Sequence, residues 1–181
     1  MCLIVKGGNY KLETKQILDK LIDEYGDSIF RMCYLYLKDY QLAEDATQET
    51  FIKAMKSYDS FQNKSSEKTW LTRIAINCCK NIMRTRWFKT HKINLTDLSK
   101  ETDYDFTHNI IEKHSMTNIV SSLKTIDREI ILLYYYQDLS IKEISSMIGI
   151  SENTAIQRLN RARNRLKKIL LEVGYCGWKK Y

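Results

Sequence analysis

The chain has 181 residues, 44% of them hydrophobic and 28% charged, with a formal net charge of +7. That length fits one ordinary domain or two small ones, and the composition excludes a disordered chain. No spacing of its five cysteines (Cys2, Cys33, Cys78, Cys79, Cys176) resembles a zinc knuckle or a paired metal site, so reduced thiols and no metal are expected.

Proline is absent and only 6 glycines occur. Long stretches of Glu, Lys, Leu, Ile, Ala and Gln run without breakers, which predicts an all-α protein. The pI near 9.1 favours a nucleic-acid partner. No apolar run approaches the roughly 20 residues of a membrane helix. The opening patch ends at Lys6, Gly7 and Gly8 and lacks the order of a signal peptide. A cytosolic location is the expectation.

Residues 1 to about 14 read as a loose lead-in. From Lys15, Leu18, Leu21, Ile22, Tyr25, Ile29, Met32, Cys33 and Tyr36 recur at helical steps and make one apolar face. Gly26 suggests a break into two helices, and Lys38 to Gln41 a turn. The next helix runs from about Leu42 to Tyr58. Its inner face is Ala43, Ala46, Thr50, Phe51, Ala54 and Met55; its outer, mainly acidic face is Glu44, Asp45, Gln48, Glu49 and Lys53.

A polar stretch at 60–68 leads into a helix from about Thr69 to Phe88, with Leu71, Ile74, Ala75, Cys78 and Ile82 as its apolar positions. From Lys64 to Lys89 only Glu67 opposes Lys64, Lys68, Arg73, Lys80, Arg84, Arg86 and Lys89. One module thus carries an acidic face and a basic one, which suits a protein held between a protein partner and a nucleic acid. The irregular, acid-containing stretch from 90 to 111 is the flexible-linker candidate.

A second module begins near Glu112. Met116, Ile119, Val120 and Leu123 would be buried in its first helix, followed by Ile126, Ile130, Leu133 and Tyr134. Ser140 and Glu143 have the spacing of a capping box. Gly149 marks a tight left-handed turn, Ile150 would plug the gap between two helices, and Ser151 would cap a long basic helix. Two short helices joined by a glycine turn form a helix-turn-helix, whose second helix enters the major groove by its N-terminal half. Its early exposed residues would be Glu152, Asn153, Ala155, Gln157 and Arg158. Asn and Gln suit an adenine edge and Glu a cytosine amino group. Ile156, Leu159, Ala162 and Leu166 would tie the helix to the core. Arg161, Arg163, Arg165, Lys167 and Lys168 cannot all face one way, so some would meet phosphate or solvent.

With these motifs in view, the sequence resembles the extracytoplasmic-function (ECF) group of bacterial RNA polymerase sigma factors, in the sigma-70 superfamily. The resemblance covers about Leu21 to Arg86 and Glu112 to Leu170. It rests on the "DATQETF" run at Asp45–Phe51, on "KTWLTRIAINCCKNIMR" at Lys68–Arg84, and on the helix-turn-helix. It implies two small helical domains: region 2 at 15–89, a linker at 90–111, and region 4 at 112–171. It places Asp45, Gln48 and Glu49 against the clamp helices of the polymerase's largest subunit. The loop around Phe61, Gln62, Asn63 and Lys64 would capture a flipped base of the non-template strand at the −10 element. Arg73, Asn77, Lys80 and Arg84 would form a DNA-facing stripe, with Trp70 either in that stripe or tucked inward. Glu152, Asn153, Ala155, Gln157, Arg158 and Arg161 would face the −35 element. Core RNA polymerase, promoter DNA and an anti-sigma factor, commonly membrane-bound in this group, are the implied partners; no cofactor and no catalytic residue is implied.

The sequence departs from the family in the Ser and Lys of the loop before "TWL", and in cysteines where small aliphatic residues are usual. A two-domain regulator binding duplex DNA without polymerase would account for the helix-turn-helix but leave the acidic face unused. A metal-dependent nuclease would need ligands. His91, His108 and His114 lie in or beside the linker without ligand spacing, and a paired-carboxylate site at Asp45 and Glu49 is less simple than an acidic surface.

Overall fold

A computed structural model describes residues 6–62, 65–93 and 116–172, with side chains for residues 16–62, 65–86 and 118–172. The fold is all-α, in two small helical units, Met1–Ile82 and Met83–Tyr181.

In the first unit α1 spans Lys6–Leu37 without interruption. It begins earlier than its apolar pattern, and the break expected at Gly26 is absent. A Cβ at Gly26 would meet only Ile22 Cγ2, at 3.6 Å, so nothing forces the helix to part there. Leu21, Ile29, Met32, Cys33 and Tyr36 are buried, whereas Ile22 is exposed. Lys38 takes a left-handed backbone (φ 60°) and its N–H donates to Tyr34 O at 2.8 Å, closing the helix. Asp39 then caps α2 (Tyr40–Ser57) by accepting from Leu42 N at 3.0 Å.

The buried stripe of α2 is Ala43, Ala46, Thr50, Phe51 and Ala54. Thr50 is accommodated because its hydroxyl donates to Ala46 O at 2.6 Å. Met55, expected inside, is exposed; it lies one residue past this stripe and so rotates out of it.

A short 3-10 turn, Tyr58–Ser60, follows, and then α3, Glu67–Ile93. Helix α3 buries Thr69, Leu71, Thr72, Ala75, Ile76, Cys78 and Cys79. Ile74 and Ile82, read as core, are half-buried, because the inner face turns toward the 72–75–76–79 line. The adjacent cysteines explain how α3 seats itself. Cys78 receives a hydrogen bond from Lys53 of α2 at 3.6 Å, while Cys79 lies against Cys33 of α1. Contact with Cys33 and burial push the Cys79 thiol far above the ordinary range. All three are free thiols. Regular structure continues in α3 to Ile93, past the expected helix end at Phe88; the remainder of the expected linker, 94–111, lies outside the described residues.

The second unit contains α4 (Met116–Ser122), α5 (Thr125–Ile131), a π-helical turn at Leu132–Tyr136, α6 (Ile141–Ile148) and α7 (Glu152–Glu172). Ile119, Val120 and Leu123 are buried as expected. From Asp127 to Leu133 every residue is buried, because α5 packs against both α4 and α7. A helix covered on several sides loses the one-faced pattern. Ile130 and Leu133 are core, but Ile126 is exposed and Tyr134 half-buried. Two of the buried charges have defined partners: Asp127 accepts from and pairs with Arg165 of α7, and the Arg128 guanidinium donates to the backbone Leu123 O at 2.9 Å.

The capping box at α6 is complete. Glu143 N donates to Ser140 Oγ, and Ser140 N donates back to the Glu143 carboxylate at 3.0 Å. Gly149 ends α6 with φ 72° and ψ 39°. The N–H groups of Gly149 and Ile150 both donate to Ser145 O at 3.0 Å, which sets the tight turn of a helix-turn-helix. Ser151 caps α7 by accepting from Thr154 N at 3.2 Å. Along α7, Ala155, Leu159, Ala162, Leu166 and Leu170 are buried. Ile156, assigned to the core from the sequence, is 44% exposed, since it stands one residue off that stripe.

The two glycines should respond oppositely to alanine. At Gly149 the new Cβ meets nothing within 4 Å, so Gly149→Ala carries only the left-handed backbone penalty, about 1–2 kcal/mol. Gly26→Ala should stabilise by about 0.4–1 kcal/mol, because α1 is already helical there. Denaturant melting of the two variants checks the signs.

Candidate protein and nucleic-acid interfaces

The acidic site sits on the outer side of α2, opposite the alanine stripe. Asp45, Gln48 and Glu49 are all exposed and one helical turn apart. Ile52 and Met55, 42% and 38% exposed, extend the same side. Sequence reasoning missed this apolar floor, because it assigned Met55 to the core and left Ile52 unassigned. Glu49 pairs with Lys53 at 3.1 Å, and Lys53 also reaches the Cys78 sulfur. The Glu49 hydrogen bond outweighs desolvation and raises the Lys53 pKa, which keeps it an ammonium. Asp45, one turn back, is likewise exposed.

Beyond the 3-10 turn lies an aromatic cluster. Phe61 stacks on Trp70, with centroids 4.8 Å apart and planes at 28°. Tyr58 meets Trp70 edge-on at 5.9 Å, and its hydroxyl donates to Glu67 Oε1 at 2.7 Å. That bond, with burial, raises the Tyr58 pKa. Ser66 caps α3: its Oγ accepts from Thr69 N at 3.0 Å. Phe61 is half-buried and Gln62 exposed; Asn63 and Lys64 lie outside the described residues. Trp70 is half-buried, and belongs to the aromatic cluster at the head of the cationic stripe. Along α3, Arg73, Asn77 and Arg84 are exposed and Lys80 half-buried, at steps of four, three and four residues. The four share one side of the helix, turned away from the Thr72–Ala75–Cys79 line.

On α7, Glu152, Asn153, Gln157 and Arg161 are exposed, and Arg158 is half-buried. Ala155, expected among the exposed residues facing the −35 element, is instead fully buried, since the capped start of α7 turns that position into the core against which the helix-turn-helix packs. It cannot reach a base. The apolar group available on the outer side is Ile156, which sequence reasoning had placed inside; an apolar side chain there suits a thymine methyl.

The basic residues farther along α7 divide by partner. Arg163 lies over the rings of Tyr134 and Tyr135, 5.1 and 5.5 Å from their centroids, and its Nε donates to Tyr135 Oη at 2.8 Å. Arg165 is held by Asp127, and Lys168 lies 4.0 Å from Glu172. Arg161 and Lys167 remain exposed. Among the described residues no group of three or more His, Cys, Asp or Glu is placed to hold a metal, and no helix is long and apolar enough to cross a membrane.

Comparison with known proteins identifies the family. Residues 21–89 match Sigma-70 region 2, and residues 113–166 match Sigma-70 region 4. The chain is 31% identical to the ECF RNA polymerase sigma factor SigM of Bacillus subtilis over 159 residues, covering 84% of this chain and 94% of that one. It is 30% identical to ECF RNA polymerase sigma factor SigW of the same organism, covering 84% and 88%. Among solved structures, the sigma factor RpoE from Bartonella quintana, in complex with the anti-sigma factor NepR, shares the fold with a TM-score of 0.66 at 23% identity, covering 92% of this chain and 98% of that one. CnrH, in complex with the cytosolic domain of CnrY, gives 0.62 at 20% identity, covering 88% and 90%. The chain therefore belongs to the ECF group of sigma-70 factors, promoter-specific initiation subunits of RNA polymerase.

Proposed function

We propose that the surfaces divide the work of initiation as follows. The side of α2 carrying Asp45, Gln48 and Glu49, floored by Ile52 and Met55, binds the clamp helices of core RNA polymerase. Phe61 and Gln62 with the neighbouring Asn63 and Lys64, together with the Arg73–Asn77–Lys80–Arg84 stripe, receive the −10 element and the opened non-template strand. The start of α7 faces the −35 element: Glu152, Asn153, Ile156, Gln157 and Arg158 read it in the major groove, and Arg161 meets an adjoining phosphate. Region 2 occupies 15–89 and region 4 occupies 112–171. The observation that carries this reading is the opposition of charge within the first unit: α2 turns carboxylates outward while α3 turns a cationic stripe outward.

The protein changes no bond itself; polymerase makes the RNA. It works in the bacterial cytoplasm, where phosphate contacts supply salt-sensitive affinity and base contacts discriminate among sites. An anti-sigma factor restrains it by covering the acidic side of α2 and the apolar patches of the second unit, and holds it at the membrane when that partner is anchored there. Support for such a partner comes from the complexes in which RpoE and CnrH were solved, and from Ile126, Tyr135 and Leu171, each at least 50% exposed.

Run-off transcription with purified core polymerase on a fragment library of the source genome tests the whole reading. Transcripts that depend on the protein are expected. Duplex binding without any such transcript, from demonstrably active polymerase, would favour a stand-alone regulator. For the polymerase side, Asp45→Lys should weaken core binding by roughly tenfold or more, since like charge across an interface costs several kcal/mol. A solution affinity measurement with unchanged melting of the free protein checks it. On α7 two substitutions should differ in kind. Gln157→Ala should relax preference at one base position by about 1–3 kcal/mol, whereas Arg161→Ala should weaken all sequences alike and reduce the salt slope by about 1. Binding titrations over a salt series and single-base variants distinguish them.

A further inference from the structure

The geometry points to Trp70 as a positioning residue that, with Tyr58, holds the Phe61 ring as a stacking platform for one unpaired base of single-stranded DNA. The inference rests on the reading of this turn as the strand-capturing element. It assigns Trp70 no contact with DNA.

The chain enters the turn through Tyr58–Ser60, closed by Phe61 N–H donating to Tyr58 O at 2.9 Å and by Ser60 Oγ donating to Ser57 O at 2.7 Å. Phe61 then adopts an extended backbone, φ −70° and ψ 107°, so no helix fixes its side chain. What fixes it is the ring stack on Trp70, which the first turn of α3 presents. The backbone that carries Trp70 is fixed there: its main-chain N–H donates to Ser66 O at 3.0 Å, and the flanking Thr69 and Leu71 are buried. Tyr58 packs edge-on against the Trp70 ring and tilted toward Phe61, at 5.9 and 6.2 Å. Its hydroxyl, tied to Glu67, links the turn to the start of α3 a second time.

An aromatic side chain in an extended segment loses rotamer freedom when a base stacks on it. Stacking on Trp70 removes that freedom beforehand, so a base meets an ordered ring. Base stacking on an aromatic ring is tolerant of sequence. The platform therefore suits holding an unpaired base next to the cationic stripe, with selection left to polar neighbours such as Gln62. A purely structural tryptophan would be satisfied by any large apolar side chain. A positioning one needs an aromatic face.

The experiment uses the full chain with core polymerase on a promoter fragment recovered by run-off transcription. Strand opening is read by permanganate reactivity of unpaired thymines, and duplex binding by retention at low temperature. Trp70→Leu should reduce opening about two- to tenfold, the range of one aromatic pair. Duplex binding should stay unchanged, and Trp70→Phe should restore most of the opening. Equal defects in Trp70→Leu and Trp70→Phe, or parallel loss of opening and duplex binding, would overturn the positioning role. Phe61→Ala separates the two layers of the argument. If it opens DNA normally, strand capture by this turn is itself wrong. If it fails to open while Trp70→Leu opens normally, only the role of Trp70 falls.

Discussion

Methyl groups at the helix contacts decide where the functional faces point. Ala43, Ala46 and Ala54 on α2, Ala75 on α3, and Ala155 and Ala162 on α7 are all fully buried. An alanine lets a neighbouring helix approach closely, because interaxial distance depends on the side chains at the contact. It also leaves the rest of the helix circumference free for other work. In α2 the outward half carries Asp45, Gln48 and Glu49; in α7 it carries Asn153, Ile156, Gln157 and Arg161. Enlarging any of these alanines would push a helix outward and rotate the surface it bears.

The same economy governs charge. Helix α7 reads as strongly basic in sequence, yet Arg165 holds the buried Asp127 of α5 and Arg163 lies over the Tyr134 and Tyr135 rings. Those two arginines stabilise the second unit. A buried carboxylate left without its guanidinium would be strongly destabilising, so they are structural cations on what looks like a DNA-binding helix. Lys53 is a comparable case in the first unit. It sits between Glu49 on the outer side and Cys78 in the core, so the net charge offered by α2 is set partly by a residue that anchors α3.

Much of this was legible in the sequence, for reasons that can be named. Local chemistry is written in adjacent residues. The Ser140–Glu143 capping box, the left-handed Gly149 and the Ser151 cap are short-range devices, and the structure bears each of them out. The outward placement of Asp45, Gln48 and Glu49 follows from a helix with one buried side. What failed depended on neighbours distant in sequence. Ala155 and Ile156 exchanged places because a one-residue rotation of α7 is fixed by its packing on α5 and α6, not by its own composition. The burial of Asp127 and Arg128 was hidden because their partners lie on α7 and in the preceding turn. The stacking of Phe61 on Trp70 joins residues nine apart across an irregular turn, where no periodicity operates.

These features bear on how a small protein can open promoters selectively. On the proposed division of labour each surface is modest: a single helix face for the polymerase, a stripe and one aromatic platform for the opened strand, and the first turns of α7 for the duplex. None requires high affinity alone, because binding by one unit raises the local concentration of the other through the chain that joins them. Modest individual affinity has a consequence for selectivity. A base mismatch at α7, costing roughly 1–3 kcal/mol, is a large fraction of what that site contributes. Strong phosphate contacts would dilute this discrimination by holding the protein on any duplex. Engaging Arg163 with the Tyr134 and Tyr135 rings and Arg165 with Asp127 therefore does two things at once on that proposal. It stabilises the domain, and it offsets part of the sequence-independent attraction of α7, so that Asn153, Ile156 and Gln157 would matter.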